Sequence, residues 1–121
     1  MKLVVFLSFL SQLKIFHWQT FSYAQHKALG KSYEKLDELF DTFVEVYYGK
    51  YSKTLQNKIY NIEVDSLTQD TDVKKFIANK KRALINYLRN DLTTDADKDL
   101  INIIDEIEGE LNHLQYLLDL S

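Results

Sequence analysis

Two of the chain's three histidines, its only tryptophan and a strip of carboxylates fall within residues 17 to 45. Its histidines, His17 and His26, and its carboxylates are of the residue types that bind metal ions. Carboxylates supply hard oxygen and imidazoles borderline nitrogen, a set suited to Fe(II) and also to Zn(II) or Mn(II). Glu34, Glu38, Asp41 and Glu45 follow at steps of four, three and four, which lays them along one acidic stripe of a helix. The stripe lies roughly 110 to 170° from the centre of that helix's apolar face. Carboxylates so placed do not point into their own bundle. As ligands they need a second subunit, and without one they are an ordinary wet helix face. His17 falls on the apolar face of the preceding helix, where an imidazole is either a hydrogen-bonded core residue or a ligand. Trp18 beside it fits an anchor at a helix–helix or subunit seam.

The elements that must hold these residues are helical. Leu3, Phe6, Leu10, Leu13 and His17 share one face of a predicted helix over residues 3–19. Val4, Val5, Leu7 and Phe9 spread apolar surface around its first turns, so it wants more than one neighbour. Ser22-Tyr23-Ala24-Gln25 reads as a capping box, the Ser22 hydroxyl accepting from the Gln25 amide and the Gln25 side chain returning to the Ser22 amide. With Gly49 as a stop, the second helix spans 23–48, about 40 Å. Its apolar stripe is Leu29, Tyr33, Leu36, Phe40, Phe43, Val44 and Tyr47. Residues 50–70 read as a long crossover with room for a short helix, which sets the second and third helices parallel. Thr71 or Asp70 caps a third helix over 71–91, carrying Val73, Phe76, Ile77, Leu84, Tyr87, Leu88 and Leu92. Thr94 with Asp97 caps a fourth over 95–119, with Leu100, Ile103, Ile104, Ile107, Leu111, Leu114 and Leu118 at helical spacing. Short, long and short links in one domain, residues 1–121, describe an all-α, ferritin-like four-helix bundle.

On the fourth helix Glu106, Glu110 and His113 share a flank, and Glu110-Leu111-Asn112-His113 has the Glu-x-x-His spacing of di-iron bundles. A complete centre within one chain needs that motif on two helices and a glutamate on each of the others. The second helix has no such motif, and Met1 to Gln19 holds no carboxylate. The intramolecular di-iron centre is therefore excluded.

Composition narrows the rest. With no cysteine, disulfides, thiolate metal sites and cysteine nucleophiles are ruled out. No proline and three glycines favour a few long helices. The formal net charge is −3, and Lys80-Lys81-Arg82, with Lys74 and Lys75 two turns earlier, is the one compact basic run. That reads as a solvated helix face, not a nucleic-acid surface. The opening MKLVVFLSFLS resembles a secretory signal, yet the helical pattern continues into Gln12, Leu13, Ile15, Phe16 and Trp18 with no small-residue cleavage site. The expectation is a mature helix in a cytoplasmic protein. The apolar run also falls short of the ~20 residues that a bilayer requires.

The run HWQTFSYAQHKALG followed by LDELFDTFVEV resembles the HW…H…DxxxE signature of the Dps-like miniferritins, and more closely small virus- and phage-encoded ferritin-like proteins. The resemblance covers about residues 10 to 50. It implies an oxidation centre at a two-fold interface, with His17 and His26 from one subunit and Asp41 and Glu45 from the other. Gly30 stands where those proteins carry a further carboxylate, and their lysine-rich DNA-binding tail has no counterpart. The function so implied is iron binding, with ferroxidase activity, in a homo-oligomer (a dimer or cage) in the cytoplasm, the host's if the protein is viral. The alternative is a metal-free helical interaction protein, a viral accessory or structural factor on the same fold.

Overall fold

A computed structural model describes residues 1–53 and 58–121. The chain forms α1 (Leu3–Gln19), α2 (Tyr23–Tyr51), α3 (Val73–Arg89) and α4 (Lys98–Asp119), with no strand among the described residues. The links are short, long and short, as expected of a four-helix bundle. The N-terminal ends of α2 and α3 and the C-terminal end of α4 meet around Gln25, Asp72, Val73 and Leu118. At the opposite end Met1, Tyr47 and Leu92 come together. The crossover thus returns the chain to the end from which α2 started, and α2 and α3 run parallel.

The helix ends follow local chemistry more closely than the expected bounds. Ser22 caps α2, its hydroxyl accepting from the Gln25 amide at 3.2 Å. The second half of the expected box is absent: the Ser22 amide donates to Thr20 Oγ1 at 3.1 Å, and Thr20 donates to Gln25 Oε1 at 2.8 Å. Gly49 does not stop α2. The helix runs through it to Tyr51, and Ser52 leaves at φ 70°, its amide still bonded to the Tyr48 carbonyl. Asp72, not Thr71 or Asp70, caps α3, accepting from the Lys75 amide at 3.1 Å. Thr94 caps nothing, because Asp97, at the head of α4, turns its carboxylate back to the Thr93 amide at 2.9 Å. The described residues of the crossover hold no short helix; Thr54 to Asn57 lie outside the described residues.

The expected apolar stripes meet as the core. Leu100, Ile104, Ile107, Leu111 and Leu114 of α4 are fully buried, against Leu29, Leu36, Phe40 and Phe43 of α2 and Ile77, Leu84 and Leu88 of α3. Each such side chain contributes about 1.5–3 kcal/mol by leaving water. Phe6 stacks obliquely on Phe40 at 5.0 Å, and Phe16 meets the edge of Phe76 at 5.1 Å. Helix α1 packs chiefly on α2 and α3 chiefly on α4, so the α1–α3 side stays open. A cavity of about 400 Å³ lies there, walled by Phe9, Leu13, Phe76 and Leu84. The crossover is strapped across this side by the buried Gln12, whose amide donates to the Asp65 carbonyl at 2.8 Å and accepts from the Asp65 amide at 2.7 Å.

Candidate functional site

Helix α1 ends and α2 begins within a few residues, so His17 and His26 are forced into one corner. Their rings stack, centroids 3.9 Å apart and planes 14° from parallel. His17 Nδ1 lies 2.7 Å from the His26 carbonyl oxygen, and His26 Nδ1 lies 2.8 Å from the His17 carbonyl oxygen. A carbonyl only accepts, so each Nδ1 carries the proton and donates it. The His17 carbonyl is one of the four that the C-terminus of α1 leaves without a helical partner, and His26 satisfies it. Gly30 has the same origin. A Cβ there would stand 2.7 Å from His17 Cε1, so the imidazole occupies the place of a side chain.

The corner's chemistry as a metal centre can be weighed from this geometry. With Nδ1 protonated, each Nε2 keeps an in-plane lone pair, the tautomer that a metal ligand requires. An ion about 2.0–2.1 Å from a ring nitrogen lies in that ring's plane. It cannot lie in both of two stacked planes, so the pair as arranged does not chelate one ion. Asp41 and Glu45 sit about 22 and 28 Å along α2 from His26 by helical rise. Both are exposed, as are Glu34 and Glu38, so the stripe faces outward as its position on the wheel requires. Among the described residues no three of His, Asp and Glu gather in one chain as a metal-binding group. Glu106 is exposed, while Glu110 is largely covered, accepts from Ser32 Oγ at 3.1 Å and lies 3.9 Å from His113. That pair braces α4 against the buried Ser32 of α2.

Beside the corner stands an apolar surface with no cover. Trp18 is 65% exposed, Phe21 wholly exposed and Tyr23 73% exposed. Lysines flank them: Lys14 Nζ lies 5.6 Å from the Trp18 ring and 4.4 Å from the Tyr33 ring, and Lys27 Nζ 5.7 Å from that of Tyr23. Trp18 reads as a seam anchor, and among the described residues of this chain it stays largely uncovered.

At the other end lies a cluster whose members come from distant parts of the sequence. Asp97, only 2% exposed, accepts from Tyr51 Oη and the Thr93 amide and lies 3.4 Å from Lys50. Lys50 also bonds the Ala96 carbonyl and pairs with Asp99 at 2.9 Å. The Tyr51 hydroxyl, with the Thr93 amide and Lys50 behind it, holds the Asp97 carboxyl below its ordinary value. Lys50, above all, lowers Asp99. The same contacts raise Lys50, chiefly through Asp99, and Tyr51, chiefly through Asp97. The local sequence signals Asp97 only as a cap partner of Thr94, whereas its carboxylate bonds the Thr93 amide and Tyr51.

These features define an all-helical bundle with fastened ends and an uncovered aromatic corner. The chain belongs to the family of unknown function DUF5856, whose model matches residues 17–118, from His17 to near the end of α4. No curated protein and no solved structure matches it. No helix among the described residues is long and apolar enough to cross a membrane.

Proposed function

We propose that the protein is a helical assembly module, acting through contact between its surface and another chain and not through a bound metal. One observation carries this reading: the Trp18, Phe21 and Tyr23 side chains lie in water beside a corner whose imidazoles already bond each other's backbone. Exposed aromatics gathered at one place are the usual anchors of protein interfaces. The histidines and Gly30 are then accounted for as the fastening of α1 to α2.

A second reading, Dps-like iron binding at a subunit interface, draws support from the two Nδ1–H···O=C bonds, which leave both Nε2 atoms as potential donors. It needs Asp41 and Glu45 from another subunit, and the rings must unstack to share an ion. Iron there would supply redox chemistry. His17 and His26 would give nitrogen ligands and the two carboxylates oxygen.

Native mass spectrometry with element analysis after incubation in Fe(II) separates the two. The assembly reading expects more than one chain per particle and no stoichiometric iron. Stoichiometric iron that disappears in Asp41→Ala/Glu45→Ala overturns it in favour of the second. A metal-free monomer at every concentration overturns both.

A further inference from the structure

The outward face of α2 is ordered by charge. Tyr23, Lys27, Lys31, Glu34, Glu38, Asp41, Glu45 and Gly49 recur at steps of three and four, which keeps them on one face of the helix. All eight are exposed, and the six charged ones form no ion pair with a described residue of their own chain. The lysines sit towards the N-terminal half and the carboxylates towards the C-terminal half. Lys27 with Lys31, Glu34 with Glu38, and Asp41 with Glu45 are each like charges four residues apart, an unfavourable arrangement in a helix standing alone.

We propose that this face is the seam of a two-fold homodimer in which the α2 helices of two copies pack antiparallel, with the axis at the level of Leu36. This rests on the reading of the protein as an assembly module and names its partner as a second copy. In this register Lys27 faces Glu45 of the second copy and Lys31 faces its Asp41, each contact occurring twice by symmetry. Tyr23 lies over Gly49 of the second copy, where the backbone is bare and a Cβ would meet nothing within 4 Å. Phe21, just before the helix, comes level with the end of the other α2. A parallel pairing would set lysine on lysine and carboxylate on carboxylate, so charge alone selects the antiparallel one. Glu34 faces Glu38 of the second copy near the axis, again twice by symmetry. Their repulsion opposes the four outer pairs and keeps the association reversible.

The chain has no cysteine, so the register can be read by cross-linking. Tyr23→Cys and Gly49→Cys chains, mixed and mildly oxidised, give disulfides between positions 23 and 49, in preference to 23 with 23 or 49 with 49. In sedimentation equilibrium, Lys27→Glu/Lys31→Glu and Asp41→Lys/Glu45→Lys each weaken self-association roughly 10- to 100-fold. Mixing these two variants restores a dimer, because every reversed pair then matches, and this recovery also shows that both are folded. Glu34→Gln/Glu38→Gln tightens the dimer. If every form stays monomeric, the seam and the assembly reading fall together. A multimer with like-position cross-links, or charge variants that do not pair on mixing, overturns the seam and leaves the assembly reading standing.

Discussion

The two ends of α2 are fastened by opposite means. At its N-terminal end two imidazoles exchange hydrogen bonds with each other's backbone and stack, and no formal charge is needed. At its C-terminal end a covered carboxylate, Asp97, gathers a phenol, an amide and an ammonium group. A neutral clasp loses a hydrogen bond and some packing when one partner is removed. An ionic one leaves groups beside a gap that water fills poorly, so its loss costs more. The ends also differ in reach. The histidine corner joins neighbours close in sequence, whereas the Asp97 latch ties α2 to the α3–α4 loop across about forty-six positions.

The largest effect is therefore expected at the latch. Asp97→Ala strands the Thr93 amide and the Tyr51 hydroxyl and should lower the thermal midpoint more than any single change at the corner. Differential scanning calorimetry ranks them, and a smaller loss than for His17→Ala would break the contrast. The latch also predicts where pH acts. Asp97 and Asp99 are held below their ordinary value of 3.8, so their contribution is complete above that value and fades as pH falls through the lower folded values. Lys50 and Tyr51 are raised above 10.5 and 10.0, so theirs is complete below those values and fades as pH climbs past them. Denaturant titrations across pH should show both limbs in the native chain. In Asp97→Asn the acid limb should shrink to the Asp99 share.

Much of this was legible beforehand, and the misses have a common cause. The apolar periods of α2 and α4 identified the core because burial is averaged over many side chains, so Leu36 or Ile107 cannot change faces without moving the whole helix. The outward acidic stripe followed from the same period. The pairing of His17 with His26 did not, since two imidazoles at one corner can serve as ligands or can each bond the other's backbone carbonyl. Gly30 stands by resemblance at a carboxylate position, and no local spacing announces that it is also the floor under His17. Asp97 resembled a cap residue, and only the return of Tyr51 and Lys50 from forty-odd residues earlier reveals its partners. Contacts set by tertiary return leave no local spacing to read.

A smaller effect is expected from the corner. His17→Ala removes one of the reciprocal bonds, the ring stack and the filling over Gly30, for about 2–3 kcal/mol. His26→Ala leaves the His17 carbonyl at the end of α1 without its partner, for about 1–2 kcal/mol. Because the rings stack on each other, the double variant should cost less than the sum, with a coupling of about 0.5–1.5 kcal/mol by urea unfolding. Additive losses would mean that the two histidines act separately, and the neutral clasp would dissolve as a unit.

The smallest net effect is the sharpest, because it has two opposing parts. Gly30→Ala sets a methyl against the pinned His17 ring, an overpacking cost of about 1–3 kcal/mol. The same change gains about 0.8–1.0 kcal/mol of helix propensity within α2. In the native chain the clash prevails and the variant is modestly destabilised. In a His17→Ala background nothing remains to clash with, and the propensity gain stands alone, so the same substitution should stabilise. A reversal of sign between the two backgrounds is what a ring seated on a glycine produces. If Gly30→Ala destabilises equally in both, the glycine answers to something other than His17, and the two ends of α2 differ less than their geometry shows.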